Sequence, residues 1–221
     1  IKGILTSIMM LGLGGLMALL FRTELAAPDI QFFGARPYMQ LMTLHGMFMV
    51  FGFVIPFVIS LNYYMMPKVL GTGRLLWAGA AQWSYWLLIL AAVFLVIARP
   101  DFTWTFYPPM SLRVGGDLVF LGYLAVALVA VSEFLAGAVL MRNGWEAARR
   151  IGLGKLPLMG WGAISEGILL MGSTPILAVV GVTMLTDWME LTALFDPARG
   201  GSVVTFMYMF WFYGHPAVYL P

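Results

Sequence analysis

Long apolar runs separated by short polar segments rich in Gly, Pro and Asp set the pattern of this chain. The runs lie at about Ile1 to Phe21, Tyr38 to Met66, Leu75 to Ala98, Asp117 to Met141, Gly160 to Leu185, and Val203 to the end. Each approaches or exceeds the roughly 20 residues that an apolar helix needs to cross a bilayer. Inside a membrane every backbone N–H and C=O must find a partner within its own segment, so such runs predict helices. No ten-residue segments of alternating polarity occur, and a β-barrel is not expected. The predicted fold class is all-α: a polytopic transmembrane helix bundle with about six spans.

The polar punctuation predicts the loops. Pro67 to Arg74 and Arg142 to Pro157 read as turns on one side, and Arg22 to Pro37, Arg99 to Gly116 and Thr186 to Gly201 as loops on the other. Pro56 and Pro175 fall inside the second and fifth runs, where each removes a helix hydrogen bond and is expected to bend its helix or to be packed by neighbours. No convincing internal repeat or low-complexity tract occurs, and residues 1–221 read as one membrane domain. The outer runs reach the chain ends with no initiator Met, which leads us to expect a piece, the N-terminal half, of a longer polypeptide. The first run is not read as a signal peptide, because no small-residue cleavage site follows it.

Charge adds an orientation. Lys2, Lys68, Arg74, Arg142, Arg149, Arg150 and Lys155 gather at one set of ends, and Glu24, Asp29, Asp101, Asp187, Glu190 and Asp196 at the other. By the positive-inside rule the N-terminus faces the cytoplasm. The net charge of +2 fits contact with lipid head groups, and the absence of a basic stripe with interleaved aromatics argues against a nucleic-acid partner. The chain has no cysteine, so disulfides, thiolate metal sites, iron–sulfur ligation and thioether-linked haem are excluded. Any metal must be held by His, Met or carboxylate.

The two histidines of the chain, His45 and His215, both fall inside predicted spans, and an ionisable group in a membrane is a functional candidate by default. At 1.5 Å per residue His45 lies roughly 10 Å and His215 roughly 18 Å in from the outer face. Gly46 beside His45 leaves room either for a flat macrocycle or for close helix packing. His215 precedes Tyr219 by four residues, so the imidazole and the phenol share a helix face and can touch. That pair supplies a metal ligand and a hydrogen or electron donor at one point in the membrane. The bland alternative is an aromatic belt with a hydrogen-bonded packing histidine.

Four further patterns carry a resemblance. They are Leu44-His45-Gly46 with Pro56 eleven residues after the histidine, Trp104-Thr105-Phe106-Tyr107-Pro108-Pro109, Leu185-Thr186-Asp187 with Phe195-Asp196-Pro197 and Gly200-Gly201, and Phe210-Trp211-Phe212 with His215-Pro216-Ala217-Val218-Tyr219. In this order and spacing the chain resembles subunit I of the haem-copper oxygen reductases, across all six spans. The resemblance implies a larger fold of about twelve spans. It implies that His45 is an axial ligand of a low-spin haem, and that His215 is one of three histidines on an active-site copper beside a high-spin haem. Tyr219 matches the tyrosine joined covalently to that histidine. Arg22 matches a residue at the low-spin haem periphery, Trp104 and Tyr107 match outer positions near the haems, and Trp211 matches a residue packed beside the copper.

Neutral imidazoles suit both iron and copper. Iron, copper and a nearby phenol together can supply the four electrons that split dioxygen without releasing partly reduced species. The implied function is a proton-translocating terminal oxidase in a prokaryotic cytoplasmic membrane rather than a mitochondrial one. Its implied partners are other oxidase subunits, including a copper-bearing subunit II, with cytochrome c or a small copper protein as donor. Quinol-oxidising members carry polar groups on the first two spans, of which only Gln40 is matched, while Leu13 and Met17 are apolar.

Departures from the family pattern matter as much. Ala217 stands where a proton-relaying Glu is usual, Arg74 where an Asp is expected, and Val129 and Ala130 where serines of the same channel lie. The usual Asp-to-Glu proton channel is therefore expected to be absent. Glu133 and Glu166 are extra membrane carboxylates, read preferentially as structural groups pairing with a partner or meeting water near a helix end, with another proton route as the alternative. Tyr213 offers either a hydroxyl near the missing Glu or aromatic packing. Two rival functions are a nitric oxide reductase of the same superfamily, against which Tyr219 counts, and a haem-free proton-coupled transporter.

Overall fold

The computed structural model describes residues 1–29, 31–114 and 116–219; the final residues of the sixth expected span, 220–221, lie outside the described residues. The described residues form helices and connecting loops, with no strand among them. Five helices are long and apolar enough to cross a membrane, and the chain is an integral membrane protein of all-α class. The first is α1 (Lys2–Glu24); the second combines α2 (Ala35–Met47), a π-helical segment (Phe48–Val54) and α3 (Ile55–Val69). The others are α4 (Ala78–Ala98), α6 (Phe120–Ile151) and α7 (Leu158–Trp188), with α5 (Met110–Arg113) a single turn in the outer loop before α6. The sixth expected span is α8 (Val203–Val218). Its 16 described residues reach about 24 Å at 1.5 Å per residue, short of the roughly 30 Å hydrocarbon layer.

Pro56 explains the π segment. It lies in the first turn of α3, and the wider π turns immediately before it accommodate the missing N–H donor without breaking the span. Pro175, by contrast, sits within an uninterrupted α7.

Helices α6 and α7 pack most extensively, and small residues are the reason. A Cβ on Gly167 would come within 2.6 Å of Met141 Cβ and 2.8 Å of the Gly137 carbonyl oxygen. Only glycine permits that backbone approach, and in lipid, where apolar side chains gain little by leaving the solvent, such packing drives helix association. At the basic end Asn143 of α6 clamps the entry to α4. Its Oδ1 accepts from Leu76 N at 2.9 Å and its Nδ2 donates to Leu76 O at 3.1 Å.

One sequence expectation needs correction here. Arg142 to Pro157 is not a turn throughout, because α6 continues as helix to Ile151. Glu146 sits four residues from Arg142 and from Arg150 and pairs with both, at 2.9 and 3.0 Å, which supports the polar extension in the manner of i,i+4 pairs. The outer-side arginines left out of the charge asymmetry are largely cancelled in place. Arg36 pairs with Asp101 at 3.1 Å, while Arg113 and Arg199 flank Asp196 at 3.8 and 3.1 Å.

Candidate functional site

His45 projects from α2 toward α1. Its Nδ1 lies 2.9 Å from the Gly14 carbonyl oxygen, and the Phe21 ring meets it edge-on with centroids 5.5 Å apart. A carbonyl only accepts, so Nδ1 carries a hydrogen, and Nε2 is the ring nitrogen left free of that bond. A backbone contact of this kind fixes the tautomer of a metal-ligating histidine. The half-buried imidazole is thus oriented by the Gly14 carbonyl.

The space beside His45 is used differently from the macrocycle reading of Gly46. The outer loop folds back so that the Trp104 indole lies against Gly46, where a Cβ would come within 2.7 Å of Trp104 Cβ. Close packing is the alternative realised, with an indole rather than a helix as the neighbour. Thr43 holds that loop by accepting from the backbone N–H of Thr103 at 2.9 Å.

Trp104 also reaches α8. Its ring meets Phe210 and Trp211 edge-on at centroid separations of 5.9 and 6.2 Å, and Trp211 Nε1 donates to the Tyr107 hydroxyl. Three expected site residues, Trp104, Tyr107 and Trp211, therefore form one aromatic cluster, cemented by buried Phe106, Phe206 and Phe210. Trp104 is one contact that joins the two histidine-bearing segments.

His215 and Tyr219 meet as the i,i+4 spacing requires, rings edge to face with centroids 4.5 Å apart. Both are exposed, Tyr219 to 66%. Arg22 is exposed at the end of α1, and its side chain makes no hydrogen bond or ion pair among the described residues. No group of three or more His, Asp or Glu side chains assembles among the described residues. The donor set thus fits single-ligand contributions, one imidazole on α2 and one on α8, and not a complete metal site among the described residues.

Two anchoring carboxylates were not singled out as such from sequence. Glu24 accepts from the backbone N–H groups of Phe32 and Phe33 at 2.8 and 3.0 Å, closing the loop after α1. Asp187, buried at the end of α7, accepts from Leu194 N at 3.1 Å, Phe195 N at 2.7 Å and the Thr192 hydroxyl. The Arg199 guanidinium spans the same loop, donating to the carbonyls of Asp187, Glu190 and Thr192. Gly201 has no room for a side chain, since a Cβ would lie 2.2 Å from the Ala193 carbonyl oxygen. The Thr186-Asp187 and Phe195-Asp196-Pro197 pattern is accordingly a folded clamp that launches α8. Partial burial works against ionisation of Asp196. It is outweighed by the Ala198 N–H and the guanidinium groups of Arg199 and Arg113, which hold that carboxyl below its ordinary range.

The extra membrane carboxylates are not in contact with water at a helix end, contrary to one expectation. Glu133 and Glu166 are buried within α6 and α7. Tyr213 donates its hydroxyl hydrogen to Glu133 Oε2 at 2.7 Å and stacks on Phe51 with centroids 6.2 Å apart, so both readings of Tyr213 hold together. Asn62 donates to Glu166 Oε2 at 2.8 Å.

These features define a membrane-embedded helix bundle that presents separate imidazole donors on two helices tied by an outer aromatic cluster. The family model described as cytochrome c and quinol oxidase polypeptide I matches residues 1–220, and the chain belongs to that family, the subunit I proteins of haem-copper oxidases. It is similar to cytochrome c oxidase subunit 1 of a Synechocystis species, at 32% identity over all of this chain and 41% of the relative. It is 34% identical to a probable cytochrome c oxidase subunit 1-beta of Nocardia farcinica, over 94% of this chain and 37% of the relative. A haem-copper oxidase subunit I+III of Aeropyrum pernix is also 34% identical, over 98% of this chain and 28% of its own length. The chain spans at most about two fifths of these relatives.

Proposed function

We propose that residues 1–221 supply the first six spans of the catalytic subunit of a respiratory terminal oxidase, which reduces dioxygen to water and couples this to proton translocation. Electrons come from cytochrome c or a small copper protein through a copper-bearing second subunit, in a prokaryotic cytoplasmic membrane. The observation that carries this reading is the His215–Tyr219 ring contact at 4.5 Å, on a helix face left open toward further protein.

In this reading His45 would hold a low-spin haem through Nε2, and His215 would be one ligand of the active-site copper. When bound, a low-spin haem, a high-spin haem and copper supply electron transfer and the reduction of dioxygen. The chain orients the donors. The Gly14 carbonyl fixes the His45 tautomer, and the aromatic cluster of Trp104, Tyr107 and Trp211 excludes water from the outer side and sets the distance between α2 and α8. Tyr219 holds a transferable hydrogen on its phenol oxygen within one helical turn of His215. Arg22, exposed and cationic at the end of α1, would meet anionic groups of that haem.

A dithionite-reduced minus air-oxidised spectrum of the assembled complex, with and without carbon monoxide, tests the proposal. Low-spin haem bands with a second, carbon-monoxide-sensitive haem support it, and oxygen uptake with candidate donors identifies the reductant. A featureless spectrum from intact complex overturns it and moves the histidines to a proton-transport role.

A further inference from the structure

Ala217, Arg74, Val129 and Ala130 remove the carboxylates and serines of the usual proton path, yet the bundle contains a cavity that ends on a different carboxylate. A space of about 350 Å³ lies among α1, α3, α4 and α6. Its lining begins at Lys2, Tyr64 and Ala78, which stand at the basic ends of their helices, and reaches Leu88 and Glu133 deeper in the bundle. From Ala78 to Leu88 it spans about 15 Å along α4 at 1.5 Å per residue. Thr6, Ser60, Ser84 and Ser132 contribute hydroxyls to its wall.

Polar satisfaction shows which end is unfinished. Glu133 is 2% exposed, and its Oε2 is occupied by the Tyr213 hydroxyl. Its Oε1 has no hydrogen-bond partner among the described residues, and neither does the buried hydroxyl of Tyr63 on the same cavity. Two orphaned polar atoms on one cavity call for water, since a buried polar group without a partner costs about 1–3 kcal/mol. A water occupies about 30 Å³ in the liquid, so the cavity has room for several. Next to Glu133, Ser132 donates to the Ser84 carbonyl at 2.6 Å and its Oγ lies 3.3 Å from Ser84 Oγ, tying α6 to α4 at the inner end.

We infer that Glu133 is a proton-loading carboxylate, filled through this cavity from the Lys2 side of the membrane. The Glu133 carboxylate takes a proton from a cavity water at Oε1 and becomes the neutral acid; that water is reprotonated from bulk solvent at the mouth. The Tyr213 hydrogen bond fixes the carboxyl plane and leaves Oε1 as the oxygen without a partner among the described residues, and it ties Glu133 to the helix that carries His215. Other titratable groups on the cavity are Lys2 from α1, Tyr63 and Tyr64 from α3 and Tyr85 from α4. The Lys2 ammonium is held at the mouth, 4.3 Å from the Tyr85 ring centroid. Glu166 from α7 is engaged by Asn62 through Oε2, and its buried Oε1 likewise has no partner among the described residues; it is not among the residues that line the cavity. By the positive-inside reading the mouth faces the cytoplasm, the side from which an oxidase draws its protons. The inference rests on the oxidase reading above.

The test uses the assembled complex and begins with its visible spectrum. Missing haem bands in the parent enzyme sink the oxidase reading and this inference with it; intact bands leave the inference to the following arms. Glu133→Gln keeps an oxygen acceptor for Tyr213 and is expected to retain the spectrum while slowing oxygen uptake at least tenfold, with partial rescue by Glu133→Asp. In redox-difference infrared spectra the carboxylic C=O band of the parent should vanish in Glu133→Gln. Thr6→Phe, which narrows the cavity and leaves Glu133 itself unaltered, should slow uptake and leave that band in place; it also decides the matter if Glu133→Gln fails to assemble. Parental turnover in both variants, or an unchanged carboxylic band in Glu133→Gln, overturns the inference.

Discussion

Helices α6 and α7 and the outer edge of α8 are built from similar apolar material for opposite ends. In the first pair glycines at 137, 144 and 167 draw the backbones together until no side chain fits between them, and the contact is complete within the described chain. Along α8 one face is finished, with Phe206, Phe210 and Tyr213 buried, whereas Trp211, His215 and Tyr219 are exposed. In a membrane protein an exposed Phe or Leu is ordinary, since lipid covers it. An exposed His–Tyr pair within a predicted span is not, because lipid cannot satisfy an imidazole. The contrast separates surface that lipid can cover from surface whose polar groups lipid leaves unsatisfied.

Substitutions that exchange the two behaviours test the contrast. The largest effect is expected from Gly167→Leu, which drives a side chain into Met141 and the Gly137 carbonyl. Overpacking costs about 1–3 kcal/mol where side chains can yield, and here backbone must move, so a loss of folded subunit in detergent thermal melts is expected. A melt matching the parent would show that the two helices are not locked by glycine contact.

Tyr219→Phe should do the reverse. The ring contact with His215 survives, so the melt is unchanged, while loss of the phenol hydrogen is expected to lower oxygen turnover by about 100-fold. Unaltered turnover would reduce the pair to packing.

Asp187→Ala probes the clamp that aims α8. Leu194 and Phe195 lose their acceptor, which costs about 2 kcal/mol for buried donors left unpaired. Lower thermal stability with faster amide exchange at Leu194 and Phe195 is the expected result, and parental exchange would refute the anchoring role.

The smallest effect concerns pH. Asp196 is held below the ordinary carboxylate range in the folded loop. Its contribution is therefore fully present above the unfolded value near 4 and is lost as pH falls through the lower folded value. Proteolytic nicking of the 190–202 loop should rise at acid pH, and Asp196→Asn should flatten that dependence.

Much of this was legible in the chain because it depends on local spacing. Apolar runs of sufficient length form helices in lipid whatever surrounds them, and residues four apart on a helix meet, as His215 and Tyr219 do. The polar extension of α6 was legible too, in the Arg142, Glu146 and Arg150 spacing, but three arginines in a short stretch read more readily as a turn. The π segment before Pro56 was not, since proline announces a missing hydrogen bond without saying how neighbouring turns absorb it.

The sequence by itself determined the class of helix bundle, the histidine and tyrosine positions, and the motifs that carry the family resemblance, because each is set by composition or by separations of a few residues. Only the tertiary structure decided that Trp104 fills the space at Gly46, that Asp187 and Arg199 clamp the outer loop, and that Tyr213 meets Glu133 at the end of a cavity. Those contacts join residues 80 apart for Tyr213 and Glu133, and 58 apart for Trp104 and Gly46. No local rule reaches that far: such pairs are fixed by how the helices cross and how closely glycine lets them approach.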